Sequence, residues 1–259
     1  MPIQTVIDAL RLPATALVGQ RIAKKLLAEQ GAPTAADKRL INDTVDSVVW
    51  HAALKPGTVG VAAFIGDAIR PDVIELAVVS VRLRPGVRPA QAQRLRELIH
   101  RAIPYPLLLV SAQGEFVIVS LADLRSSLGQ GGKQVLEVLH LSGEFTPKAP
   151  SVVEQSYLSS LAVDEQPRSH LGALYQGWVY RTIALQAARI TGVYAAPGSE
   201  AVARAQRAAL ESVRQIRAEL ASIRALAAKA KQLNRQVELN LRLQKLRQQL
   251  TQVEARLTP

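Results

Sequence analysis

The chain has 259 residues, 48% of them apolar and 20% charged, with a net charge of +11 and no cysteine. That length can hold one sizeable core plus an appendage, or two small domains. Without cysteine there are no disulfides, thiolate metal sites or cysteine nucleophiles, and since His51, His100, His140 and His170 are scattered, any metal chemistry would rest on carboxylates.

From the N-terminus, Thr5 to Leu12 and Arg21 to Glu29 read as short helices, broken by Pro13 and by Gly31 with Pro33. Arg21, Lys24 and Lys25 fall on roughly one face of the second. Asp8 stands where a secretion signal has its apolar centre, and no apolar run reaches the ~18 to 20 residues that cross a bilayer, so a cytoplasmic chain with no membrane partner is expected. Thr34 is placed to cap a third helix, Ala35 to Leu54, with Leu40, Ile41, Thr44, Val45, Val48 and Val49 on its apolar face and Trp50 in its last turn. Lys55-Pro56-Gly57 ends it.

The apolar period then shortens. Val59 to Ile65 and Ile74 to Leu83 read as strands, joined through Gly66-Asp67 and Arg70-Pro71-Asp72. Pro89 opens a helix running through His100 with Leu95, Leu98 and Ile99 turned inward. Leu107 to Ser111 and Phe116 to Leu121 form a hairpin about Gln113-Gly114-Glu115, and Gln134 to His140 adds a further strand after the Gly129 to Gly132 loop. The resulting β-β-α-β-β-β unit predicts an α+β fold with a mostly antiparallel sheet, covered on one face by helices. Residues 1–145 form this domain. A helical connector, 146–198, carries helices at Val152 to Leu161 and His170 to Ile190.

Residues 199–259 form a basic arm without Gly, and without Pro until the last position. Twelve Lys and Arg against five acidic residues give it +7, and twenty against sixteen leave +4 for the first 198 residues. Val213, Ile216, Leu220 and Ile223 belong to one narrow seam that continues to Val237; Leu239, Leu243, Leu246 and Leu250 form a second, displaced by two heptad positions. An unbroken helix here would extend roughly 90 Å, and its seam would need a partner helix. The junction, Lys231 to Asn240, is where such a helix bends, changes partner, or sets Asn234 and Asn240 into polar contacts. Basic helical arms suit phosphate backbones or acidic protein surfaces.

No local pattern supports catalysis. Gly129-Gln130-Gly131-Gly132-Lys133 lacks the spacing and hydroxyl of a phosphate loop. A metal-dependent nuclease needs clustered carboxylates with a lysine near a strand; Asp72 and Glu75 precede Val78 to Arg82, yet the expected acidic-x-Lys on a neighbouring strand is missing, and Asp67 and Asp72 read as turn formers and Glu75 as an outward-facing strand residue. Ser80, Ser111 and Ser120 lie within apparent strands and lack nucleophile-elbow glycines. No cofactor, metal ligand or catalytic residue is assigned.

Several segments together resemble a known bacterial family. They are Arg21-Ile22-Ala23-Lys24-Lys25, Val49-Trp50 followed by Leu54-Lys55-Pro56-Gly57-Thr58, Ile74-Glu75-Leu76, Ile103-Pro104-Tyr105, and Gln232 to Asn240 followed by Leu243 to Leu250. The family is the domain of unknown function forty-three ninety-one. Its members tend to have Pro where this chain has Ala23 and an aromatic where it has Leu233. The resemblance implies an accessory protein of bacterial defence islands, encoded near a superfamily 2 helicase and a DNA methyltransferase, and it supplies no catalytic residues.

The leading expectation is a non-catalytic subunit of an anti-phage defence complex, docked to a helicase-like or methyltransferase partner and assisting DNA binding or assembly. Arg21, Lys24, Lys25, Lys55, Lys231, Arg235, Arg242 and Lys245 are the expected phosphate contacts. Val213, Ile216, Leu220, Ile223, Val237, Leu243, Leu246 and Leu250 are the expected partner-helix interface. Two rivals stand beside it: a metal-dependent nuclease with a degenerate site at Asp67, Asp72 and Glu75, and a homo-oligomeric coiled-coil protein that never touches nucleic acid.

Overall fold

Apolar residues spaced by two, or running without interruption, form the sheet, and those spaced by three and four form its cover. A computed structural model describes residues 2–67, 70–126, 134–230 and 232–258. In chain order the elements are α1 (Pro2–Ala9), β1 (Leu17–Arg21), α2 (Lys24–Gly31), α3 (Ala35–Thr44), β2 (Val45–Leu54), α4 (Pro56–Val59), β3 (Leu76–Leu83) and α5 (Pro89–Ala102). They continue with β4 (Leu107–Gln113), β5 (Phe116–Ser126), β6 (Gln134–Leu141), α6 (Val152–Ser160), α7 (Leu171–Thr191), α8 (Glu200–Lys229) and α9 (Leu233–Ala255).

The protein is α+β. Its strands lie in the order β1-β2-β3-β4-β5-β6, every neighbouring pair antiparallel except β3 and β4, which run parallel because α5 crosses between them. One face of the sheet, carrying Val48, Ala77, Val79, Val81, Leu107 and Leu109, packs with Leu27, Ile41, Leu95, Leu98 and Ile99 of α2, α3 and α5. The other face meets α1 and α7: α1 contacts β4 and β5, and the buried Tyr175 hydroxyl accepts from the Ala122 amide at 2.7 Å. Helices therefore cover both faces, not one.

Four further expectations change. Ala35 to Leu54 is not one helix: Thr34 does cap α3, its hydroxyl accepting from the Asp37 amide at 3.1 Å, but the chain turns extended at Val45 and continues as β2. The run from Val45 to Trp50 is rich in β-branched and aromatic residues, which suit a central strand better than a helix end. Arg21 closes a strand, β1, and α2 starts only at Lys24, so Arg21, Lys24 and Lys25 do not share a helix face. Val59 to Ile65 is no strand: Pro56–Val59 makes one helical turn, and beyond it the chain is held by an isolated bridge, Phe64 to Val73. The fourth change is in the arm.

The chain divides into two compact units, Met1–Thr182 and Ile183–Pro259. The sheet, α6 and the first half of α7 lie in the first. In the second, the expected unbroken helix is two helices, with Ala230 extended between them. They pack antiparallel: Arg217 pairs with Glu254 at 2.7 Å, and Glu219 with Arg242 at 2.6 Å. The two displaced seams face one another, burying Leu220, Ile223, Leu239, Leu243 and Leu246 in one cluster.

Candidate nucleic-acid interface

The hairpin α8–α9 carries the charge excess, and its ion pairs decide where that excess is exposed. All five of its carboxylates pair with an arginine: Glu200 with Arg204 at 3.7 Å, Glu211 with Arg214 at 3.5 Å, Glu238 with Arg235 at 2.6 Å, and the two cross-helix pairs above. Seven cations lie outside these five pairs: Arg207, Arg224, Lys229, Lys231, Lys245, Arg247 and Arg256. Arg224, Lys229, Lys245, Arg247 and Arg256 are exposed, and none has an acidic partner among the described residues.

The cations expected from the sequence to contact phosphate fare unevenly. Lys245 is exposed and free, and Arg21 is exposed at the edge strand β1. Lys24 is half-buried and donates to the Val45 carbonyl, which ties α2 to the start of β2. Lys55 pairs with the buried Glu75 at 3.1 Å, Lys25 pairs loosely with Glu29 at 3.8 Å, and Arg235 and Arg242 hold the hairpin's own carboxylates. Lys231 lies outside the described residues, as does the Gly129 to Lys133 loop. Sequence reasoning passed over Arg224, Lys229, Arg247 and Arg256. Counting carboxylates within four positions would have flagged Arg224, Lys229 and Arg247; the partners of Arg217 and Arg242 become visible only once the helix is folded back.

The expected partner-helix residues are mostly turned inward. Leu220, Ile223, Leu243 and Leu246 fill the hairpin seam, Ile216 and Leu250 pack against it, and Val213 is buried. Val237 is exposed. Together with Leu233 and Leu241 it forms an outward stripe at four-residue spacing on α9, 72, 51 and 62% exposed from Leu233 to Leu241. Val202 and Leu226 on α8 are exposed as well.

The carboxylates of the nuclease reading are each engaged elsewhere. Asp67 accepts from the Arg70 amide and guanidinium at 2.7 to 2.9 Å, Asp72 accepts from the Gly66 amide at 2.7 Å, and Glu75 holds Lys55. Among the described residues no group of three or more His, Asp or Glu is placed to hold a metal ion.

A second polar feature lies beneath α5. Arg96 and His100, one helical turn apart, reach serines on adjacent strands: Arg96 Nε donates to Ser111 Oγ at 2.8 Å, and His100 Nε2 lies 3.0 Å from Ser120 Oγ. Burial, with the nearby Arg96 charge, pushes the His100 imidazole down to about 3, so it is neutral at pH 7. Burial likewise lowers the Arg96 guanidinium, an effect that the attraction of Glu144 opposes.

Fold and charge together define a class: a mixed α+β sheet unit followed by a cationic helical hairpin. The chain belongs to the family described as Domain of unknown function (DUF4391), whose model matches residues 10–250. No curated protein and no solved structure matches it. Among the described residues no helix is long and apolar enough to cross a membrane.

Proposed function

We propose that this protein is a non-catalytic accessory subunit of an anti-phage defence complex, in which the α8–α9 hairpin holds DNA through its phosphates while the chain is joined to a helicase-like protein. The observation that carries the DNA reading is the charge surplus on the hairpin: with every carboxylate of the arm already paired, Arg224, Lys229, Lys245, Arg247 and Arg256 face solvent with no acidic partner among the described residues. Clustered Lys and Arg of that kind bind phosphodiester backbones without reading sequence, because neutralising each phosphate releases a condensed counterion. The defence context rests on the family resemblance. Assembly is supported by the stripe Leu233, Val237 and Leu241, an exposed apolar surface on α9 of the kind that meets a protein partner.

Fluorescence anisotropy with a labelled duplex of random sequence, across a range of salt concentrations, tests the DNA reading. Affinity falls with salt, with a log–log slope of about −0.9 per phosphate neutralised, and is the same for unrelated sequences. An affinity that does not change with salt would overturn it.

A further inference from the structure

The cross-helix ion pairs of the hairpin fix its register, and that register brings together two arginines that no carboxylate accompanies. The seam of α8 runs Ile216, Leu220, Ile223, Ala227 and that of α9 runs Leu239, Leu243, Leu246, Leu250, both at alternating steps of four and three. Antiparallel helices wound on such a heptad repeat the same pairing one heptad further along, counted forward on one helix and backward on the other. Arg217, directly after Ile216, faces Glu254 at 2.7 Å, whereas Glu219, directly before Leu220, faces Arg242, directly before Leu243, at 2.6 Å. These pairs mark the two flanks of the seam. One heptad forward from Arg217 stands Arg224, directly after Ile223, and one heptad back from Glu254 stands Arg247, directly after Leu246. Arg224 therefore faces Arg247 where the neighbouring repeat holds a salt bridge. Both are exposed, and neither has an acidic partner among the described residues. Like charges set across a helix pair repel, so this apposition does nothing for the hairpin itself.

We propose that Arg224 and Arg247 form a clamp for one phosphate monoester dianion. Each guanidinium offers a planar fork of N–H donors that fits two phosphate oxygens, and forks from two helices match the three terminal oxygens and nearly two negative charges of a monoester at pH 7. A backbone phosphodiester carries a single charge and would leave one arginine uncompensated. The clamp stands without the DNA reading, while its use on the phosphorylated end of a DNA strand rests on that reading.

Titration of the full, ¹⁵N-labelled chain with methyl phosphate and with dimethyl phosphate at pH 7 and constant ionic strength tests it, read on the arginine Nε–H signals. Arg224 and Arg247 shift together along one saturation curve, and methyl phosphate binds about tenfold more tightly than dimethyl phosphate, which has one charge fewer. Arg224→Gln and Arg247→Gln each weaken methyl phosphate about tenfold, and the double variant loses little more, because the dianion needs both. Lys38→Gln, which removes one exposed charge from the first unit, leaves the affinity unchanged. Separate curves for the two arginines, equal affinity for the two phosphates, or an effect of Lys38→Gln as large as that of Arg224→Gln overturns the proposal. Duplexes with 5′-phosphate and 5′-hydroxyl ends then separate the sources. Several-fold tighter binding of the phosphorylated ends, lost in Arg224→Gln, assigns the clamp to a DNA terminus, and equal binding of both assigns it to a small phosphorylated molecule. Salt-dependent DNA affinity without methyl phosphate binding removes the clamp and leaves the DNA reading; methyl phosphate binding without DNA affinity does the reverse.

Discussion

At the scale of single residues, the polar strip beneath α5 sets how this protein responds to acid. His100 titrates near its ordinary value of about 6.5 in the unfolded chain and at about 3 in the fold, so protons favour the unfolded state between those limits. Stability from this residue is complete above pH 6.5, declines as pH falls towards 3, and is lower by about 2 kcal/mol at pH 5 than at pH 7. Burial lowers His51 too, so it adds in the same direction. Urea denaturation at pH 7 and pH 5 measures the loss, and His100→Gln, which keeps a polar group near Ser120 but cannot titrate, should reduce it; an unchanged loss would show that the imidazole is already charged at pH 5. Thr34 offers a simpler case. Its hydroxyl caps α3 while donating to Asp37 at 2.8 Å, so Thr34→Ala should cost about 1 kcal/mol in the same assay. The cap was legible because Thr followed by helix-forming residues after a proline is a local signal. Arg96 and His100 were not, because two polar residues four apart on a helix ordinarily face water, and only the sheet beneath shows them turned inward.

At the scale of elements, local pattern located what local forces decide. The β4–β5 hairpin, α5, α6 and α7 stand within a few residues of their sequence readings, each bounded by a turn glycine, an N-terminal proline or a Ser151–Glu154 capping box. β2 was misread because Leu40, Ile41, Thr44, Val45 and Val48 keep helical spacing across a real boundary, and the choice of strand after Thr44 is made by β1 and β3 on either side. The break at Ala230 has no Gly or Pro to announce it; the Gln236 side chain seals it by donating to the Ala230 carbonyl at 2.7 Å. The two-position shift between the seams was the visible trace, and folding the helix back is its physical resolution, since each seam then covers the other. Leu243→Ala should therefore cost about 2–4 kcal/mol, read as faster amide exchange in α8 and α9 together and not in the sheet. Packing of α2 on α5 makes a comparable demand: a Cβ on Gly31 would lie 2.4 Å from the Leu98 carbonyl oxygen and 2.7 Å from the Ala102 Cβ. Gly31→Ala should destabilise the first unit by about 1–3 kcal/mol in a thermal melt, because the obstruction is backbone and cannot swing aside.

At the scale of the whole molecule, net charge says little about function until the ion pairs are subtracted. Composition alone placed the basic excess in the last 61 residues, but it could not separate arginines that build the hairpin from cations left for a ligand. The cross-helix pairs make that separation, and with it a comparison the DNA reading must survive. Neutralising Arg224, Lys245 and Arg247 together to Gln removes three exposed charges that have no acidic partner among the described residues; the hairpin's stability should change by no more than about 0.5 kcal/mol, while the salt slope for duplex DNA falls by up to about 3 units. Neutralising Arg217 and Arg242 removes two charges already spent on Glu254 and Glu219. That pair of changes should loosen the hairpin by about 0.4–2 kcal/mol, and it leaves two carboxylates unmatched, so any loss of affinity comes through repulsion and misplacement of the remaining cations. If both variants lowered the salt slope equally while the hairpin stayed intact, binding would follow total charge and the arrangement of ion pairs would be irrelevant to it. A slope lost only with the exposed set would instead tie DNA binding to Arg224, Lys245 and Arg247, which have no acidic partner among the described residues.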